Sequence, residues 1–308
     1  MLFASVALLI ALWLATGALV AALRSQRRID WLYCAVILPF AGLAGADLLA
    51  LHGWLDNAAS FDRLAPLLPH LRLVALDMPG HGLSSHRPAG CRSHIWDDLP
   101  ELLQCADQLG WQRFHLLGHS RGAGIATLLA AAVPERVISL TLIENFLPGT
   151  TEDAAAPAQL TAALHDEALL PGKKKPIYRS VAEAVEARTR IIGEISLEAA
   201  ELLTARGLMQ VEGGYSWRAD PRLRLASMVK LTPAQARAFA AAVAAPTLLI
   251  LAQGGRFDRM AELDQQLDAF RRLELHRLAG NHHLHLERQA PEVAALLADF
   301  IQRHPGDG

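Results

Sequence analysis

The stretch FHLLGHSRGAGIATLLAAA, Phe114 to Ala132, restricts the fold of this chain more than any other. An apolar run leads into Gly118-His119-Ser120-Arg121-Gly122, and a small-residue helical pattern follows. G-x-S-x-G alone occurs by chance. Between an apolar strand and a helix it marks a strained turn that lifts a serine hydroxyl above a sheet, with glycine where a side chain would clash. The Arg121 amide, at the helix start, would face the same point as the hydroxyl. The competing reading is a serine that merely caps a helix.

The flanking sequence repeats this strand-helix rhythm. Asp47 to Leu51 reads as a short buried strand, and Asn57 or Ser60 as the cap of a short helix over Phe61 to Leu68. Leu71 to Leu76 is a strand that ends in a glycine-rich loop. WDDLPELLQCADQLG has helical spacing and stops at Gly110. RVISLTLIEN, from Arg136, is a further strand. Buried apolar strands alternating with helices predict an α/β protein with a mostly parallel central sheet and helices on both faces.

From about Gly149 to Val243 the rhythm changes, and no strand is expected. APAQLTAALHDEAL, SVAEAVEARTRIIG, SLEAAELLTARG and TPAQARAFAAAVA are helical, and Lys173 to Lys175 read as a solvated loop. Alternation resumes with PTLLILAQGG, a helix near Ala261 to Arg271, the strand LELHRLAG and a closing helix over Pro291 to Ile301. The expected division is a core of residues 29–148 and 246–308 with a helical insertion over 149–245.

Residues 1–28 stand apart. Met1 to Leu23 carries no charge, and Arg24, Arg27 and Arg28 follow. That length suffices for a tilted bilayer crossing. The basic cluster behind it would leave the bulk of the chain on the cytoplasmic side. A cleaved signal, a buried extension and a plain cytoplasmic protein stay open as alternatives. An excess of apolar residues at the front also accounts for much of the mean hydropathy of +0.22.

Composition excludes other classes. Lys and Arg number 29 against 31 Asp and Glu, so no basic footprint points to nucleic acid. The three cysteines, Cys34, Cys91 and Cys105, are widely spaced, which argues against a disulfide framework or a zinc site. No cofactor and no metal are expected, and the oligomeric state is left open. The partner expected is a small acyl molecule, with membrane association through residues 1–23 as the additional expectation.

Several motifs occur together and in order: LHGWLDNAASFDRL, LDMPGHGLSSH, GHSRG, GGRFD and GNHHLHL. On these the chain resembles the α/β-hydrolase fold family, and within it the serine hydrolase-like proteins, from about Leu48 to the last helix. The resemblance implies a helical cap inserted after the sixth strand, with Ser120 as nucleophile. It implies an oxyanion hole from the amides of Trp54 and Arg121. A serine hydroxyl also needs a base. GNHHLHLE offers His282, His283 and His285, and the family pattern selects His282. His52, Gly53 and His119 are expected around the substrate pocket as loop scaffolding, with Tyr215 and Trp217 of the cap lining it.

The acid departs from the family. Its usual place after PTLLIL falls on Gly255 in AQGGRFD. Glu144, which ends the preceding strand in LIENF, is one replacement and Asp258 the other, with Glu144 preferred. Each has an ordinary reading as well: an ion pair to a cap residue such as Arg218 for Glu144, a surface or capping carboxylate for Asp258. The function expected is hydrolysis of a carboxylic ester or related acyl compound. A non-catalytic binding or scaffold protein, and acyl transfer or cofactor-free peroxidation at the same residues, stand as alternatives.

Overall fold

The computed structural model describes residues 45–190 and 195–306. Its strands are β1 (Ala46–Leu51), β2 (Leu71–Leu76), β3 (Phe114–His119), β4 (Val137–Ile143), β5 (Leu208–Val211), β6 (Gly214–Trp217), β7 (Thr247–Ala252) and β8 (Leu273–Leu278). Six of them form one sheet in the order β2-β1-β3-β4-β7-β8, and every neighbouring pair is parallel.

Period-two alternation sends Leu49 and Leu51 of β1 into one apolar cluster and Leu48 and Ala50 into another, all fully buried. Both faces are therefore covered, which is why the strands read as mostly apolar rather than alternating segments. On the first face lie α1 (Leu99–Gln108) and α2 (Arg121–Ala132), through residues such as Leu102, Cys105, Ile125 and Leu129.

The insertion follows β4, the fourth strand among the described residues. It contains α3 (Ala156–Leu169), α4 (Val181–Thr189) and α5 (Leu197–Gly207), and then α6 (Pro233–Ala242). α6 lays Ala236 and Ala240 into the same cluster as α2, so this last helix packs on the sheet rather than over the site. After β7 come a short α7 (Leu263–Leu267) and, after β8, the closing α8 (Ala290–Arg303). α8 covers the second face with Val293, Leu297, Phe300 and Ile301. That spacing makes one apolar stripe, and burying each such side chain contributes about 1.5–3 kcal/mol.

Three expectations need correction. The insertion is not wholly helical: α5 runs straight into β5, which pairs antiparallel with β6 across a turn where Gly213 has φ +84°. The Gly-Gly pair between alternating residues was the signal. The helix expected over Phe61 to Leu68 is two 3₁₀ turns, Ala58–Phe61 and Ala65–Leu67, because Pro66 and Pro69 deny the segment its amide donors. Asn57 does cap the first turn, accepting the Ala59 amide. The helix near Ala261 to Arg271 shrinks to the five residues of α7, behind Glu262 at φ +59°.

Among the described residues no helix is long and apolar enough to cross a membrane. The expectations for residues 1–28, with the apolar run Met1 to Leu23, and for Cys34 lie outside the described residues. Cys91 and Cys105 are unbridged.

Candidate active site

Ser120 joins β3 to α2 with φ +52° and ψ −115°, a region that side chains rarely occupy. The bend persists because it is held on all sides. The Ser120 amide donates to the Ile143 carbonyl at 2.9 Å, and Asn145 Nδ2 donates to the Ser120 carbonyl at 3.0 Å. A Cβ on Gly118 would lie 2.5 Å from the Gly122 carbonyl oxygen and 2.7 Å from the Ala123 nitrogen. A Cβ on Gly122 would overlap the Leu51 carbonyl oxygen and lie 2.7 Å from that of His52. Both glycines thus let the elbow press against its own helix and against β1.

Above the elbow, His282 Nε2 is 2.9 Å from Ser120 Oγ, and His282 Nδ1 is 3.0 Å from Glu144 Oε2. Phe257 stacks near the imidazole, with ring centroids 5.9 Å apart. Glu144 is 1% exposed and, like Ser120, has a left-handed backbone, φ +53°. Its Oε1 accepts the Ala252 amide at 2.5 Å, so the carboxylate is fixed between the ends of β4 and β7. A carboxylate at Nδ1 keeps the proton there and leaves Nε2 free to accept from the serine hydroxyl.

Asp258 is elsewhere: Oδ2 accepts the Gly254 amide at 2.8 Å and Oδ1 pairs with Arg277 at 2.6 Å. The Gly254 amide, together with Arg277, holds the Asp258 carboxyl below its usual range, as a surface loop staple does. Nor does Arg218 meet Glu144; its Nε donates to the Leu208 carbonyl.

The loop after β1 supplies the opposite wall. Among the described residues, no backbone carbonyl takes the amide of Trp54 or of Arg121. The Trp54 indole Nε1 donates to the Leu223 carbonyl at 2.7 Å, tying this loop to the inserted segment. The Arg121 side chain turns away to Asp98 at 2.9 Å. Next to Trp54, Leu55 has φ +59°. Leu55, Ser120 and Glu144 are three of the four non-glycine residues with positive φ among those described, and two of them, Ser120 and Glu144, bond the His282 imidazole.

The pocket expectations need correction. His52, His119 and Gly53 are buried scaffold and line neither cavity described below. His52 Nε2 accepts the Met78 amide at 3.0 Å, its Nδ1 donates to the Gly53 carbonyl at 2.8 Å, and burial lowers its pKa. Gly53 leaves no room: a Cβ there would lie 2.9 Å from Asp56 Oδ2 and 3.0 Å from His119 Nδ1. Tyr215 is committed to backbone pairing with Tyr178, at 2.8 Å in both directions. Trp217 does line a cavity, with its Nε1 donating to Tyr178 Oη at 3.0 Å.

Beneath the imidazole lies a buried charge cluster that sequence reasoning missed. Asp56 Oδ1 accepts from the Arg188 guanidinium of α4, and Oδ2 is 3.3 Å from His283 Nε2 and 3.5 Å from His119 Nδ1. Burial alone would raise the Asp56 pKa; His283 and Arg188 outweigh it and hold the carboxylate well below its usual range. Burial pushes His119 down to about 3, so the ring is neutral. Its Nε2 is 2.8 Å from the His282 carbonyl, which can only accept, and it therefore carries the proton. One neutral imidazole thus fixes the backbone of the other.

No metal was expected, yet Asp56, His119 and His283 bring donor atoms within 4.8 Å of one another, the reach of a small cation. Arg188 already offsets the carboxylate's charge there. Asp56 is 227 positions from His283, so no local spacing betrayed the group.

Two cavities lie along the inserted segment, and neither is lined by Ser120, His282 or Glu144. One of about 590 Å³ is lined by Leu55, Asn57, Leu203, Trp217 and the Lys173–Lys175 loop. The other, about 430 Å³, is lined by Trp54, Arg121, Pro148, Gly149 and Leu231 among others. Arg224 and Leu225 line both.

Comparison with known proteins agrees with this layout. Residues 48–186 match the family model described as the alpha/beta hydrolase fold. A serine hydrolase-like protein of Danio rerio is 31% identical over 278 residues, covering 85% of this chain and 83% of its own. The crystal structure of a hypothetical protein from Pseudomonas aeruginosa PAO1 superposes with a TM-score of 0.85 at 47% identity, over 89% of this chain and 97% of that one. A thioesterase domain from the curacin biosynthetic pathway superposes with a TM-score of 0.71 at 28% identity, over 85% and 92%.

Proposed function

Because the chain belongs to the α/β-hydrolase fold family, alongside the serine hydrolase-like proteins, we propose that it is a serine hydrolase of carboxylic esters or related acyl compounds, thioesters included. The observation that carries this reading is the continuous series from Glu144 Oε2 through His282 to Ser120 Oγ, at 3.0 and 2.9 Å.

In this reading Ser120 Oγ attacks the acyl carbonyl carbon as His282 Nε2 takes the hydroxyl proton. The carbonyl oxygen becomes an oxyanion between the amides of Trp54 and Arg121, with the N-terminus of α2 adding its positive end. Collapse expels the leaving group, which receives the proton from His282. Water, deprotonated by the same imidazole, attacks the acyl-serine and releases the carboxylic acid while the proton returns to Ser120. Glu144 stays ionised throughout and stabilises the imidazolium. The unengaged amides of Trp54 and Arg121 support this assignment, since a donor pair awaiting an oxyanion has no protein acceptor to give up.

A fluorophosphonate probe tests the proposal. Labelling of the folded wild type that disappears in Ser120→Ala, together with loss of hydrolysis on a panel of esters and thioesters, supports it. A folded wild type that takes no label and cleaves no member of the panel overturns it.

A further inference from the structure

The larger cavity divides by chemistry. Leu55, Leu170, Leu203, Trp217 and Leu225 give it apolar walls. Lys173, Lys174 and Lys175, from the loop between α3 and α4, line it together with Arg224, and Lys173, Lys174 and Arg224 are exposed. The only carboxylates in the lining are Asp56 and Asp220, and both are engaged: Asp56 by Arg188, Asp220 by Arg222 at 2.7 Å. Among the described residues no carboxylate pairs with Lys173, Lys174, Lys175 or Arg224. Lys175 Nζ donates only to the carbonyls of Trp217 and Arg218, at 3.0 and 3.4 Å. Cations thus outnumber carboxylates around this one space, in a chain whose formal net charge is −2.

A solvated lysine run needs no explanation by itself. A run that opens onto an apolar cavity, faces an arginine across it and lacks carboxylate partners is complementary to an anion at the end of an apolar chain. The cavity also reaches the loop that carries Trp54. Leu55 and Asp56 directly follow Trp54, and Arg224 and Leu225 are shared with the cavity that Trp54 and Arg121 line.

We propose that this cavity binds an acyl substrate carrying an anionic group, a carboxylate or a phosphate, remote from the scissile carbonyl, with Lys173, Lys174, Lys175 and Arg224 as its recognition residues. The proposal rests on the reading of Ser120 as the nucleophile of an acyl hydrolase. The apolar walls hold the chain by removing its surface from water. Lys173, Lys174 and Arg224 attract the anion at the wet mouth, while Lys175, partly buried and held by two backbone carbonyls, adds its charge from the wall.

Matched substrate pairs test it. Nitrophenyl half-esters of dicarboxylic acids are compared with nitrophenyl esters of monocarboxylic acids of equal length, placing a carboxylate on the acyl side. Acyl-coenzyme A thioesters are compared with the same acyl groups on N-acetylcysteamine, placing phosphate on the leaving side. At low salt the anionic member of at least one pair has a KM about tenfold lower, and which pair responds identifies the source of the anion. The ratio falls towards one at about 0.5 M NaCl and in Lys173→Glu/Lys174→Glu. Equal KM values within both pairs, or a preference that survives both salt and the double substitution, overturns the proposal.

A binding measurement on Ser120→Ala keeps this separate from the hydrolase reading. A fluorescent fatty carboxylate binds about tenfold tighter than its methyl ester, and the difference closes in Lys173→Glu/Lys174→Glu. If the wild type cleaves no substrate, the hydrolase reading falls and this binding ratio alone decides the anion claim.

Discussion

Glu144 reaches His282 from the end of the strand that precedes the cap, 138 positions away in sequence, with its carboxylate anchored at 2.5 Å on the Ala252 amide. The family's usual acid position lies just past that amide, on Gly255. In the proposed assignment the acid lies one strand over from that position while addressing the imidazole at Nδ1.

This relationship predicts an asymmetry between two conservative changes. Glu144→Gln lowers kcat by about 10²–10⁴-fold, because an amide stabilises neither the Nδ1–H tautomer nor the imidazolium. Asp258→Asn leaves kcat within about twofold, since its carboxylate staples a surface loop to Arg277. Steady-state kinetics on both variants checks it; the opposite pattern reassigns the acid.

The elbow predicts a sharp dependence on one methyl group. Gly122→Ala forces a Cβ against the carbonyls of Leu51 and His52 and destabilises the fold by about 3 kcal/mol or more, above ordinary overpacking. Gly149→Ala, with nothing within 4 Å of its Cβ, stays within about 0.5 kcal/mol of wild type. Urea unfolding of the two variants makes the comparison.

The buried pair between Asp56 and Arg188 predicts non-additivity. Arg188→Met leaves a carboxylate unpaired in the interior and costs about 3–5 kcal/mol. Asp56→Asn/Arg188→Met removes both charges and recovers a substantial part of that loss. A double-mutant cycle from denaturation midpoints reports the coupling.

Asp62 predicts a pH effect with a definite sign. Burial raises its pKa from 3.8 to about 6, with the Asp77 carboxylate adding to the rise and Arg206 opposing it. An acid whose folded pKa lies above its unfolded one favours folding while protonated. That advantage is present below about pH 4 and is lost as pH climbs through 6. Asp62→Asn therefore gains stability over wild type at pH 8 but not at pH 4, by on the order of 1 kcal/mol after allowance for solvent screening at this half-buried side chain. Chemical denaturation at the two pH values tests it.

Much of this was legible in the sequence for physical reasons. The strands of a two-faced sheet are mostly apolar, and Leu248 to Ala252 of β7 shows it from end to end. Gly118 and Gly122 announced the elbow because no other residue fits there. The meeting of Ser120 with His282 followed from a motif order that the fold imposes. What stayed hidden was either cooperative or nonlocal. Asp56 acquires its role only when Arg188, His119 and His283 arrive from three other segments. Asn145 and Phe257 lie beside motifs that were read, yet only coordinates show one amide bracing the Ser120 carbonyl and one ring flanking His282. The β5–β6 hairpin was overlooked because its alternation spans only four residues a side.

Trp54 does two things at once: its indole grips the Leu223 carbonyl of the inserted segment, while its own amide borders the elbow. Lifting that segment to admit a ligand must break the grip and free the loop that carries the amide. Any displacement of that segment is therefore transmitted through a single side chain to the loop that carries the Trp54 amide.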